Sequence, residues 1–243
     1  MARIRLDALL AQRGLFDSRT RAAAAIQAGD VLLLPERRRA EKPGQLVAED
    51  VELEVRPGPE YVSRGGVKLA NALDALGLDV ADRRALDIGA STGGFTDCLL
   101  RRGVAHVVCV DVAYGQLDWR LRTDSRVTVL ERRNARSLSA GELPYAPDLI
   151  VVDVSFISLT KVLPAALGAA AGRFDCLALV KPQFEVGREQ VGKGGIVRDP
   201  ALHEAACDRV RASVEALGFR AAIVESPILG AEGNREFLLF ATH

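Results

Sequence analysis

Between residues 84 and 181 the chain carries four runs, RALDI, HVVCVDV, DLIVVD and CLALVK, that are apolar at nearly every position rather than at every second one. A strand reads this way when both faces of its sheet are covered, as in a parallel sheet with helices on either side. The segments between these runs, FTDCLLRRG, GQLDWRLR and SLTKVLPAALGAAA, read as helices. RVTVL adds a strand, and a helix at about 200–217 is followed by FRAAIVES and NREFLLFAT. The alternation predicts a doubly wound, mostly parallel α/β sheet of seven strands. The last strand, EFLLFA, follows a glycine-rich turn and is expected at an edge, antiparallel to its neighbour.

Residues 1–56 have a different rhythm and read as a small α+β unit. Leu6, Leu9 and Leu10 recur at helical spacing with Gly14 as the stop, and Ser18 is placed to cap a second helix that ends at Gly29. VLLL (31–34) and VELEV (51–55) read as strands, with the polar ERRRAEKPG as the loop between them. Residues 57–62, within RPGPEYV, have the proline and glycine content of a linker, so the larger domain is expected over 63–243, opening with a helix from about Ser63 to Leu76. Over residues 1–48 nine Lys/Arg stand against five Asp/Glu. Arg13, Arg19, Arg21 and the Arg37–Arg39 run are placed to line one face, and a local patch of this kind would suffice for nucleic acid, although a solvated helical face has the same composition.

The chain as a whole has 32 basic and 32 acidic side chains, which excludes a polybasic tail and an acidic solvating domain. Its four cysteines form no C-x-x-C pair and it has three histidines, so neither a disulfide framework nor a metal site is expected. MARIRLDALLAQRG lacks the apolar core of a signal peptide, and no run approaches the roughly 18 apolar residues of a membrane span. A cytoplasmic protein with no membrane partner is expected. The 32 basic residues comprise 27 Arg and five Lys: Lys42, Lys68, Lys161, Lys181 and Lys193. A lysine kept in such a chain draws notice, because an ammonium can lose its proton and a guanidinium cannot.

DIGASTGGFTD (87–97) follows a strand and opens a helix, the usual ligand position of a doubly wound sheet. Ser91 occupies the place of the second glycine of G-x-G-x-x-G, where a dinucleotide pyrophosphate needs bare backbone, so NAD is disfavoured. Asp87 and Asp111 close successive strands around this loop, and Asp111 is placed to accept hydrogen bonds from ribose hydroxyls. Together these features suggest S-adenosylmethionine; a tight βα turn with incidental carboxylates is the alternative. The candidate cofactor residues are Asp87, Gly89, Ser91, Gly93, Gly94, Phe95, Thr96, Asp111, Val112 and Asp153. Asp153 and Lys181 end two apolar strands and converge on the same sheet edge, either as a partly buried ion pair or as reacting groups. Residues 183–198, with four glycines, are expected to form a mobile lid. Tyr114 and Trp119 are suited either to stacking on adenine or a flipped base or to packing the helix after Asp111, and packing is expected for Trp119.

Across its whole length the chain resembles the TlyA family of RNA methyltransferases, also labelled hemolysin A. The stretches that carry the resemblance are RLDALLAQRGLFDSRTRA, SRGGVKLANAL, LDIGASTGGFTDCLL, DVAYGQLDWRLR, DVSFISL, LVKPQFEVG, VGKGGIVRD and GNREF. The resemblance implies an αL-type RNA-binding domain joined to a Rossmann-like, FtsJ-like methyltransferase domain. It implies methyl transfer from S-adenosylmethionine to a cytidine 2′-hydroxyl of ribosomal RNA or ribosomal subunits. The family's Lys-Asp-Lys-Glu tetrad falls on Lys68, Asp153, Lys181 and Glu236. RNA contacts are expected from Arg5, Arg13, Arg19, Arg21, Lys42 and Arg64. Where the family's αL domain commonly has an asparagine-glycine turn, this chain has LLLPERRRAEKPG, and it ends soon after the last strand, as the shorter members do.

The chemistry fits these residue types. A ribose hydroxyl is a weak nucleophile, so an enzyme must position it and remove its proton. Lys181 is the expected base, with Lys68, Asp153 and Glu236 orienting and tuning it. Two other functions are an rRNA-binding assembly factor with little catalysis and a hemolysin. The tetrad speaks against the first, and the lack of an amphipathic or spanning segment against the second.

Overall fold

The computed structural model describes residues 3–56, 60–230 and 233–243, and the chain divides into two compact units, Met1–Glu60 and Tyr61–His243. Pro57, Gly58 and Pro59 of the expected linker lie outside the described residues. The first unit runs β1 (Arg3–Arg5), α1 (Leu6–Gln12), α2 (Arg19–Ala28), β2 (Val31–Leu33), β3 (Arg38–Arg39), β4 (Leu46–Ala48) and β5 (Leu53–Val55). Leu6, Leu9 and Leu10 of α1 meet Ala22 and Ile26 of α2 over Val31, Leu33 and Val47. Ser18 caps α2 by accepting from the Arg21 amide at 3.2 Å, and Gly29 ends it in the left-handed conformation at φ 82°. Within the segment expected as a plain loop Arg38 and Arg39 pair with β2, and just beyond it Leu46–Ala48 pairs with β1. These strands are two or three residues long, too short to leave an alternating pattern in the sequence.

Asp7 is buried at the start of α1 and holds two arginines. Its carboxylate accepts from Arg5 Nε at 3.0 Å and Nη2 at 2.7 Å, and from Arg19 Nη2 at 3.4 Å.

The second unit contains α3 (Arg64–Leu76), β6 (Arg84–Ile88), α4 (Gly94–Arg101), β7 (His106–Val110), α5 (Trp119–Arg122), β8 (Val127–Leu130) and β9 (Leu149–Val152). It continues with α6 (Leu163–Gly168), β10 (Asp175–Val180), α7 (Pro182–Glu185), α8 (Pro200–Glu215), β11 (Arg220–Glu225) and β12 (Phe237–Thr242). Tyr61 and Val62 belong to it: the Val62 amide donates to Asp97 at 2.9 Å, and the buried Tyr61 ring fills the space left by Gly66. The seven strands lie in the order β11-β12-β10-β9-β6-β7-β8, with β8 through β10 parallel. Both faces are covered, which accounts for the unbroken apolar runs. Leu149 and Val151 of β9 face the α3/α4 layer, with Leu69, Leu73 and Leu99, whereas Ile150 and Val152 face Leu163, Leu167 and Val210.

Two expectations need correction here. β12 is antiparallel as expected, but it lies between β10 and β11 rather than at the edge. Its run Leu238, Leu239 and Ala241 is buried on both faces, while β11 alternates and is largely exposed, as an edge strand should be. The helix expected over SLTKVLPAALGAAA is broken into a 3-10 turn at Leu159–Lys161 and the short α6. Pro164 has no amide hydrogen to give and so stands in the first turn of α6 rather than inside a longer helix.

The Arg5 hydrogen bonds, assisted by Arg19, hold the Asp7 carboxyl down at about 2. A carboxyl lowered on folding stabilises the native state above its ordinary value of 3.8 and ceases to do so as pH falls toward 2. Asp7→Asn should therefore speed amide hydrogen exchange in α1 and α2 at pH 6. The difference from wild type should shrink steadily between pH 4 and pH 2.

Candidate active site

Register places the reacting edge of the sheet. Ile88 pairs with Val152, and Val152 with Ala178, so Asp153 is level with Gly89 and Lys181 stands just beyond β10. Side chains alternate along each strand. Asp153 therefore follows Val151, Lys181 follows Leu179 and Glu236 precedes Leu238, all toward the face covered by α3 and α4. Lys68 projects from α3 on that same side.

The glycine loop is set by close backbone approach. Gly89 has φ 82°, and a β-carbon there would lie 2.4 Å from the Asp153 carbonyl oxygen. Gly93, at φ 97°, leaves room for Leu121 and Leu117, and Gly94 lies against the Ser63 hydroxyl. Asp111 ties the loop to the end of β7, one oxygen accepting from the Ser91 amide and the other from the Ala113 amide, both at 2.8 Å. Each oxygen keeps a second lone pair for a ligand hydroxyl. Asp87 and Thr96 are wholly buried beneath the loop, with Thr96 Oγ1 donating to Asp87 at 2.6 Å. They line neither cavity, so their contribution is to the shape of the loop. Burial, with the Asp153 and Asp111 carboxylates adding repulsion, pushes the Asp87 carboxyl up to about 7.

Two cavities open above the loop. One, of about 370 Å³, is bounded by Val110, Asp111 and Val112 on one side and Ala135, Ile157 and Val162 on the other. The second, of about 300 Å³, is lined by Lys68, Asp153, Lys181 and Glu236, with Arg64, Gly94 and Phe95 at its walls. They share Gly89, Ser91, Asp153 and Ser155. Lys181 Nζ stands 2.6 Å from Asp153 Oδ1, outside hydrogen-bond angles, and donates to Ser155 Oγ at 3.1 Å. Its backbone is extended ahead of Pro182, as expected from the proline. Lys68 donates to Glu236, and both are well buried, with 10% and 2% of the side chain exposed. Gly230 makes room for that carboxylate, since a β-carbon there would lie 2.1 Å from Oε1.

Several residues on these walls escaped the sequence reading. Ser63 and Ser155 carry no pattern, although Ser155 lies in the quoted DVSFISL. Phe156 is 91% exposed beside the larger cavity, with a left-handed φ of 65° and its ring 5.2 Å from that of Phe184. Such a conformation in a bulky residue marks local strain. Trp119, expected to pack, is 73% exposed because α5 is a single turn that buries only Leu121. Tyr114 is also exposed, with Arg132 over its ring at 4.3 Å.

The connection expected as a mobile lid is anchored at both ends. Glu185 accepts from Ser158 at 2.6 Å and the Leu159 amide at 2.8 Å, and Asn234 bonds Gly195 and Val197. In the first unit, Arg21 pairs with the exposed Asp17 and Lys42 is exposed. Arg13 donates to the carbonyls of Val51 and Glu49, so it also closes the local fold. Among the described residues no cluster of His, Cys, Asp and Glu is arranged to hold a metal ion, and no helix is long and apolar enough to cross a membrane.

A seven-stranded sheet of this order, with a glycine loop and two cavities at its carboxyl edge, defines a methyltransferase class. The family model described as FtsJ-like methyltransferase matches residues 61–243, and the chain belongs to that family. Among its relatives are proteins named TlyA. The 16S/23S rRNA (cytidine-2′-O)-methyltransferase TlyA of Mycobacterium tuberculosis is 50% identical over 243 residues, covering 98% of this chain and 89% of that protein. Hemolysin A of Brachyspira hyodysenteriae is 39% identical over 97% of this chain and 98% of its own length. The structure of a hemolysin candidate from Streptococcus thermophilus is 42% identical, with a TM-score of 0.75 over 100% of this chain and 89% of that one.

Asp87 gives the site a pH signature. An acid raised on folding keeps a proton that the unfolded chain releases, so stability falls as pH rises from about 4 to about 7. Asp87→Asn keeps an acceptor for Thr96 and is neutral throughout, so urea midpoints measured across this window should decline less than in wild type. Glu185, also pushed up by burial, leaves a residual slope in both.

Proposed function

We propose that this chain transfers a methyl group from S-adenosylmethionine to the 2′-hydroxyl of a cytidine in ribosomal RNA. The observation that carries the reading is the arrival of Lys68, Asp153, Lys181 and Glu236 on one cavity that adjoins a second, larger one at Gly89 and Asp153. The larger cavity suits the cofactor on three counts. The bare backbone at Gly89 admits a bulky group, Val112, Ala135, Ile157 and Val162 offer an apolar slot for a base, and Asp111 retains lone pairs for ribose hydroxyls. When bound, S-adenosylmethionine supplies a methyl group on a positively charged sulfur that departs as a neutral thioether.

The chain's residues do the rest. Lys181, in its neutral form, takes the 2′-hydroxyl proton onto Nζ as that oxygen attacks the methyl carbon. Asp153 then stabilises the ammonium that forms, 2.6 Å away. Lys68, paired with buried Glu236, presents a fixed positive charge on the same cavity and favours the developing alkoxide. The paired geometry matters because a lone buried charge would be costly. Arg5, Arg13, Arg19, Arg21 and Lys42 of the first unit, with Arg64 of α3, are assigned to RNA phosphates, so residues 1–56 are read as the RNA-binding domain. Such a substrate places the enzyme in the cytoplasm.

Lys181→Arg keeps the charge and cannot act as a base. Single-turnover methylation of ribosomal RNA at saturating S-adenosylmethionine should fall by about 10²–10⁴-fold. Cofactor and RNA affinities should hold, and near-normal turnover would refute the assignment.

The RNA surface is best tested away from Asp7, because reversing Arg5 or Arg19 would also disturb a buried carboxylate. Arg21→Glu with Lys42→Glu should weaken rRNA binding and lower the slope of log K against log salt by about two. An unchanged slope would show that these cations only solvate the surface.

A further inference from the structure

We propose that Ser155 is a positioning residue whose hydroxyl aims the Lys181 amine at the methyl acceptor; the inference rests on the 2′-hydroxyl reading above. Ser155 borders both cavities, at the seam where donor and acceptor must meet. Its Oγ accepts from Lys181 Nζ at 3.1 Å. Asp153 lies closer, at 2.6 Å, but outside hydrogen-bond angles, so it attracts the charge without fixing how the amine is rotated. Among the described residues, Ser155 makes the one hydrogen bond found on Nζ.

The remaining charged groups on this cavity are Lys68, Glu236 and Arg64. Lys68 and Glu236 are paired with each other, and Arg64 has no acceptor to offer. The Lys181 nitrogen is tetrahedral, with one position taken by the side-chain carbon. When one N–H is directed to Ser155 and another is drawn toward Asp153, a single direction is left. In the neutral amine that direction holds the lone pair, and after proton transfer it holds the new N–H. A base with its lone pair fixed in this way needs no reorientation before it meets the hydroxyl. The buried stem of Lys181, 11% exposed, and the extended backbone before Pro182 fix the root of the side chain, leaving the tip for Ser155 to orient.

The test separates rate from binding. Ser155→Ala should lower single-turnover methylation at saturating S-adenosylmethionine by roughly ten- to a hundredfold. Cofactor and rRNA dissociation constants should stay unchanged, and Ser155→Thr, which keeps the hydroxyl, should restore most of the rate. With five lysines in the chain, the Nζ signals of ¹⁵N-lysine-labelled protein are resolvable, and that of Lys181 is assigned by its loss in Lys181→Arg. Relaxation of this signal should report faster ammonium reorientation in Ser155→Ala than in wild type. Weakened cofactor binding with an unchanged saturating rate would make Ser155 a cofactor contact and overturn the inference. So would a variant that matches wild type in both rate and relaxation. A wild-type protein that methylates no rRNA would overturn the functional reading instead, and the nitrogen relaxation would then decide the role of Ser155 alone.

Discussion

The ends of β6 and β9 meet through bare backbone at Gly89, where any side chain would collide with the Asp153 carbonyl. Much of the site takes its position from that approach. It sets the glycine loop beside Asp153, so both cavities border on Gly89 and Asp153. Asp111 then draws the loop toward β7 through the Ser91 amide, and Thr96 braces it from below on Asp87.

Arginine and lysine divide the labour in this chain along chemical lines. Arginine serves where a planar donor must hold a carboxylate or a carbonyl: Arg5 and Arg19 on Asp7, Arg13 on two backbone carbonyls, Arg83 on Asp175 at 2.6 Å. Two of the five lysines stand on the tetrad cavity. The division also qualifies the basic character of the first unit, since part of its positive charge is engaged in closing its own fold.

The sheet was legible because continuous apolar runs have few explanations other than two covered faces, and Asp153 and Lys181 were legible because they interrupt such runs at their ends. Lys68 and Glu236 were not, since nothing local distinguishes them from surface charges. Their pairing depends on α3 and the turn before β12 reaching the same cavity, and only the family resemblance indicated it. The placement of β12 was missed although its apolar run held the signal, because its position last in the chain suggested an edge. Ser155 and the exposed Trp119 depend on how a few residues turn after a strand, which composition does not encode.

The position of β12 has a consequence for assembly. Being late in the sequence and interior in the sheet, it must insert between β10 and β11, so β11 has no strand to pair with until it does. Such non-local pairing is slow compared with helix formation. Glu236 arrives with that strand, immediately ahead of Phe237. A chain in which β12 has not yet inserted already has the residues of the glycine loop and of the larger cavity, while Lys68 still lacks its carboxylate. Closure of the sheet and the pairing of Lys68 with Glu236 are therefore one event.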